Sequence, residues 1–226
     1  MKKLLVVSAA VVCLPALASA AAAADLSRRY PPAPPPVVSV YTAAYNWTGF
    51  YIGVNGGGAF GHSNWDSAGG FNLTGGLVGG TVGYNWQQPG SPWVLGIESD
   101  LDFSGISGTT TTLCPLGCRT ANNWLGTVRG RVGYAIDRIM PYVTGGLAFG
   151  NIKATTPGFP GVDNTNTGWT LGAGLEVAIG GGWTVKAEYL FVDLGNINCG
   201  ISCGVLPNDN VSYRSSIVRG GLNFRF

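Results

Sequence analysis

Charge is scarce in this chain, and histidine scarcer. Asp, Glu, Lys and Arg make up 11% of the 226 residues, and His62 is the one histidine. Average soluble domains carry about 25% charged residues, so an ordinary water-facing surface is not expected. Neither sign dominates, with 13 Lys and Arg against 11 Asp and Glu. Setting aside Lys2 and Lys3 leaves 11 against 11, so nothing in the charge balance points to an electrostatic nucleic-acid partner. The lone histidine leaves hydrolytic or acyl-transfer chemistry short of its usual general base. Ser63 adjoins it, but neighbours on a strand point to opposite faces, so Asp66 nearby completes no triad. No catalytic, cofactor-binding or metal-ligating set is expected. Long apolar runs are missing beyond residue 24, which excludes a bundle of membrane helices. The 37 glycines weigh against helices of any kind.

The one apolar run, 4–17, follows Lys2 and Lys3 and ends in two small-residue exits, Ala18-Ser19-Ala20 and Ala22-Ala23-Ala24. This is the build of a secretory signal peptide over 1–24, cleaved after residue 20 or 24. Residues 25–44 form a different segment, with the tract Arg28-Arg29-Tyr30-Pro31-Pro32-Ala33-Pro34-Pro35-Pro36. Such a tract cannot join a sheet, and it reads as an extended periplasmic lead-in. Residues 45–226 are one domain. Its four cysteines, Cys114, Cys118, Cys199 and Cys203, form two C-x-x-x-C pairs. An even count in an exported chain fits disulfides. Three connectivities exist, and the two local bridges are favoured over a thiolate metal site, since no histidine lies beside either pair.

What the domain does have is alternation. In 93–103 the odd positions are Trp, Leu, Ile, Ser, Leu and Phe, and the even ones Val, Gly, Glu, Asp and Asp. One face is oily and the other acidic, at period two. Similar segments fall near 47–61, 74–87, 93–104, 123–135, 140–151, 167–179, 183–194 and 211–226. Tight turns at 88–90, 136–138 and 180–182 alternate with longer polar stretches. Even strand number, short turns at one end and long loops at the other are the outer-membrane pattern. The fold class predicted is therefore all-β: an eight-stranded antiparallel transmembrane barrel with both termini periplasmic and four long external loops. Tyr84, Trp86, Trp93, Tyr134, Trp183, Phe224 and Phe226 cluster beside the short turns, where an aromatic girdle belongs. Trp65, Trp124 and Trp169 lie towards the loops.

The inward faces collect Glu98, Asp100, Asp102, Glu176 and Glu188 against Arg129, Arg131, Lys186 and Arg219. A barrel of eight strands is just wide enough for side chains to fill it, and buried charges must pair. A plug of salt bridges is expected, with an ion path lined by the same residues as the alternative.

The segment YNWTGFYIGVNGGGAFG (45–61) resembles the entry strand of a porin-like outer-membrane protein family of alpha-proteobacteria, surface antigens with an OmpA-type barrel. VGYNWQ (82–87), LGIESDLDFS (95–104), GTVRGRVGYA (126–135), YVTGGLAFG (142–150), GAGLEVA (172–178) and VKAEYLFVDLG (185–195) extend the likeness over nearly all of 45–226. The paired cysteines are not a general family feature. Arg219, Gly221, Phe224 and Phe226 resemble the terminal-strand signal read by the barrel-insertion machinery. The resemblance implies a non-enzymatic, immunogenic envelope protein without a cofactor. It implies outer-membrane lipid and lipopolysaccharide as surroundings, the insertion machinery and periplasmic chaperones as biogenesis partners, and the cell wall or a host surface as further partners. Its alternatives are a narrow solute channel, or an adhesin or haem-binding receptor working through the loops, with His62 or Tyr213 as the haem contact.

Overall fold

The structure is a computed structural model that describes residues 45–66, 69–111, 117–198 and 210–226. The signal-peptide and lead-in readings, and Cys114, Cys199 and Cys203, lie outside the described residues. Eight strands follow one another: β1 Gly49–Trp65, β2 Gly69–Gln87, β3 Trp93–Thr110, β4 Cys118–Tyr134, β5 Ile139–Thr155, β6 Val162–Gly180, β7 Trp183–Asn198 and β8 Asn210–Arg225. Each pairs antiparallel with its neighbour, and β8 closes on β1 from Tyr51↔Arg225 to Trp65↔Val211. Closure leaves no edge strand, so the wall peptides pair within the sheet except at a few register shifts. No helix occurs among the described residues.

Three short turns join β2 to β3, β4 to β5 and β6 to β7 at the end that also carries Tyr45 and Phe226. Gly90 (φ 78°), Asp137 (φ 52°) and Gly182 (φ 83°) supply the left-handed residues these reversals need. We call this the terminal end and the opposite one the loop end.

The strands run longer than the alternation predicts, and the connections at the loop end are correspondingly shorter. The expected loop 104–122 is mostly strand, since β3 continues to Thr110 and β4 begins at Cys118. The reason is a reversal of polarity along the wall. Near the terminal end Phe50, Ile52, Val54, Val82, Ile97 and Leu171 face outward and are exposed. Charged and polar residues fill the inside there. Past residues 61, 74 and 104 the sense inverts. His62, Asn64, Asn72, Arg119 and Arg214 face out, while Trp65, Phe71, Leu73, Ile106 and Ile152 are buried inside. From Phe50 to Phe60 is ten steps of ~3.3 Å on a strand tilted by about 40°, or ~25 Å of height, the thickness of an outer-membrane apolar band. Strand beyond that level stands in water and packs as a soluble barrel does, apolar side in.

Three irregularities sit at this level. Strand β3 gains a residue against β4 between Phe103 and Ile106. Strand β4 gains a residue between Ala121 and Leu125, which shifts its inward residues from even to odd positions. Asn151 Oδ1 accepts from the backbone N–H of Asn123 (2.9 Å) and Trp124 (3.2 Å) and so replaces the ladder bonds lost there. Strand β7 gains a residue between Asp193 and Asn196, with Gly195 at φ 69° supplying the left-handed conformation of a glycine bulge.

Aromatics bracket the apolar band. At the terminal end Phe50 packs on Tyr84 (4.6 Å between centroids), Trp93 on Tyr134 (5.3 Å) and Trp183 on Phe224 (5.0 Å). Trp169 packs on Phe191 (5.4 Å) at the other margin. Trp65 does not belong to this ring, for its side chain is buried inside the barrel at 1% exposure. Trp47, expected within the first strand, precedes β1 and turns into the lumen.

Candidate functional site: the filled lumen

Strand β3 sets out Glu98, Asp100 and Asp102 at successive inward positions, and β4 answers with Arg129 and Arg131. Glu98 and Arg129 are directly opposed across the ladder. Strands β6, β7 and β8 add Glu176, Lys186, Glu188 and Arg219, all nearly fully buried.

Arg129 is the centre of the layer. Its Nη2 pairs with Glu98 Oε1 and with Asp100 Oδ2 (2.6 Å), and its Nη1 crosses the lumen to Glu188 Oε1 (3.0 Å). Arg219 Nη2 reaches Asp100 Oδ2 (2.9 Å) and Glu188 Oε2 (2.7 Å), while Nη1 holds Asp102 Oδ2 (3.0 Å). Arg131 joins Glu98 Oε2 (3.2 Å) to Glu176 Oε2, and Lys186 Nζ donates to Glu98 Oε2 (3.0 Å). All nine predicted charges therefore meet in one network. A buried charge left alone costs several kcal/mol, and the planar guanidinium suits several carboxylates at once.

Further lone pairs of the carboxylates are met by residues that charge patterning does not reveal. Tyr51 OH donates to Glu98 Oε2 (2.8 Å), Tyr142 OH to Glu188 Oε1 (3.0 Å), and Thr81 and Thr127 to Asp100 (2.6 and 2.9 Å). Thr184 and Asn223 bind Glu176. Arg131 also lies over the Tyr142 ring at 4.6 Å. Inward parity with a polar tip is the sequence signal that could have found them. The tyrosines lie flat across glycines: a Cβ on Gly83 would be 2.3 Å from Tyr51 OH, and one on Gly174 2.6 Å from Tyr142 OH.

Apolar clusters close the charge layer on both sides. Towards the loops Trp65, Phe71, Leu73, Ile106, Ile152 and Leu190 are among the residues of the larger one. Towards the termini Trp47 packs with Val94, Met140, Tyr142 and Ala178. Neither cluster was apparent from the sequence.

The other candidates are scattered. Cys118 is fully buried at the head of β4, its Sγ 3.6 Å from Thr156 Oγ1. His62 is exposed on the outer wall and bonds Asn72 (3.2 Å), whereas Tyr213 is buried inside. They do not converge. In β8, Arg219 belongs to the network, Gly221 lies beneath Lys186, and Phe224 packs against Phe226 (5.3 Å), which is exposed.

A closed eight-stranded wall, oily outside over a membrane's thickness and ion-paired within, defines an integral outer-membrane barrel protein. Residues 9–226 match the outer membrane protein beta-barrel domain family, and the chain belongs to it. It is 40% identical over 210 residues to the 31 kDa outer-membrane immunogenic protein of Brucella melitensis, covering 80% of this chain and 85% of that one. It is 34% identical over 183 residues to the 22 kDa outer membrane protein of Rhizobium leguminosarum bv. viciae, covering 81% and 80%. Among solved structures it is similar to Neisserial surface protein A at 15% identity and TM-score 0.45, covering 79% and 98%. The protein resides in the outer membrane.

Proposed function

We propose that this protein is a sealed, non-enzymatic barrel whose role is structural and surface-exposed: it occupies the outer membrane and presents its loop end to the outside. The observation that carries this reading is the lumen itself. A buried ion-pair layer lies between two apolar clusters, an arrangement that opposes a continuous path for water. In this reading residues 1–24 are removed on export, 25–44 form the periplasmic lead-in, and the termini stay inside. The names of the Brucella relatives, outer-membrane immunogenic proteins, support exposure of the loop end. Local bridges Cys114–Cys118 and Cys199–Cys203 would staple the loops at 111–117 and 199–209, consistent with the burial of Cys118 and with an oxidising compartment. Insertion would proceed through the β8 signal at Arg219, Gly221, Phe224 and Phe226, helped by chaperones and the insertion machinery. Lipopolysaccharide would surround the wall, and the cell wall or a host surface would be the outside contacts.

Planar-bilayer conductance of the refolded mature protein tests the proposal. A silent bilayer, with insertion shown by protease protection, is the expected result. Discrete, reproducible openings would overturn it in favour of a narrow channel lined by the same nine charges.

A further inference from the structure

Among the described residues, Trp47 lies over the charge layer at the terminal end. This residue precedes β1, yet it is among the most buried in the molecule, at 1% exposure. Its ring fills the space between Val94, Met140 and Ala178 and touches Tyr142, whose hydroxyl binds Glu188. Hydrogen bonds hold it from both sides. The indole Nε1–H donates to the carbonyl of Asp137 in the β4–β5 turn (3.1 Å), and the Trp47 backbone N–H donates to Gln87 Oε1 at the end of β2 (2.9 Å). Thr48 Oγ1 accepts from Gln87 N–H (3.0 Å), and Tyr45 N–H donates to Asp137 Oδ1 (3.4 Å). The Tyr45 ring stacks edge-on against Trp47 (4.9 Å) and lies under the Arg225 guanidinium (4.5 Å).

We propose that residues 45–48 form a strap across the terminal mouth, with Trp47 as its stopper, and that this strap is a separate, releasable seal on the lumen. The wall does not need it: β1 begins at Gly49, and the β1–β8 closure is complete from Tyr51 onward. Six hydrogen bonds, among them Thr48 Oγ1 to the Gln87 carbonyl (3.3 Å) and Arg225 Nη1 to the Asn46 carbonyl, together with the Trp47 and Tyr45 rings hold the strap, against fifteen ladder positions where β1 meets β8 alone. A segment with few contacts opens locally at far lower cost than the global fold. Opening exposes Val94 and Met140 first and then Tyr142 and Glu188, so the strap sets whether water at this end reaches the charge layer. A tension or contact on the chain ahead of Tyr45 acts on the seal directly. This inference rests on the reading of the lumen as closed. Conductance tests the whole lumen and the experiment below only the mouth, so the two can fail separately.

Met140 is a native reporter. It is fully buried against Trp47, its sulfur lies on Gly133, and the chain's other methionine is Met1. Hydrogen peroxide transfers one oxygen to an accessible thioether, giving the sulfoxide and water, and peptide mass spectrometry counts the product. In the refolded full chain Met140 should oxidise slowly. In Trp47→Ala, with the barrel shown intact by its heat-modifiable gel migration, the rate should rise roughly tenfold or more as local protection is lost. Gln87→Ala, which keeps the ring and removes one tether, should give a smaller rise, and it decides the matter if Trp47→Ala fails to fold. Fast oxidation in the parent, or unchanged protection in the folded variants, would overturn the proposal.

Discussion

Glu98 and Arg129 face each other across the β3–β4 ladder, and each is shared with a strand on the far side of the lumen: Glu98 with Lys186 of β7, and Arg129 with Glu188 of β7. The two residues thus brace the barrel across its diameter as well as along its wall. Arg129→Ala would leave Glu98, Asp100 and Glu188 short of a partner in a buried site. Removing one member of a buried ion-pair cluster costs about 3–5 kcal/mol. Urea-dependent unfolding from detergent micelles should show a loss of that size, and Arg129→Lys should recover only part of it, since an ammonium cannot reach three carboxylates with a planar fork.

The acids of β3 should not be equivalent. Asp100 pairs with two arginines and accepts from two threonines, whereas Asp102 holds Arg219 through Oδ2 alone and its buried Oδ1 has no hydrogen-bond partner among the described residues. Asp100→Asn should therefore lower the unfolding midpoint clearly more than Asp102→Asn. Equal losses would mean that the layer responds to total charge and not to these particular pairs.

Gly83 is bare because Tyr51 lies across it. A Cβ there would meet Tyr51 OH at 2.3 Å and the Ile97 carbonyl at 2.7 Å. Gly83→Ala should cost about 1–3 kcal/mol, the range for overpacking a filled interior. In a double-mutant cycle Tyr51→Ala should relieve part of that cost, and strict additivity would show that the ring is not what the new methyl meets.

At the β4 bulge the Asn151 side chain serves two backbone donors, while Asn122 Nδ2 donates to the carbonyls of Trp124 (3.1 Å) and Asn151 (2.7 Å). With Asn151→Ala, two consecutive N–H groups lose their acceptor, at about 1–3 kcal/mol for unsatisfied buried donors. Amide exchange at Asn123 and Trp124 should quicken in this variant while exchange at Val128 stays slow.

The fold near the terminal end was legible because lipid enforces one simple rule: oily out, polar in. Nine of the ion-paired residues could be named from parity alone, since a charge on the lipid-facing side of such a strand would be intolerable. Past His62 and Ser104 the same alternation continues with its sense reversed, and residues such as Asn72, Thr109 and Asn164 then look like loop. Trp65, which the sequence places only towards the loops, turns inward for this reason. Trp47 escaped for another: its burial comes from tertiary packing against Met140 and Ala178, which lie far away in sequence and carry no local pattern.

The reversal of polarity also gives the molecule a waterline. If the barrel sank by one turn of the pleat, His62, Asn72 and Arg214 would enter hydrocarbon. If it rose by as much, Phe103 and Leu147 would meet water. Vertical drift is opposed in both directions by the same two-zone wall, so the height at which the loops ride above the membrane is a property written into the strands and independent of anything that grips the protein from either side.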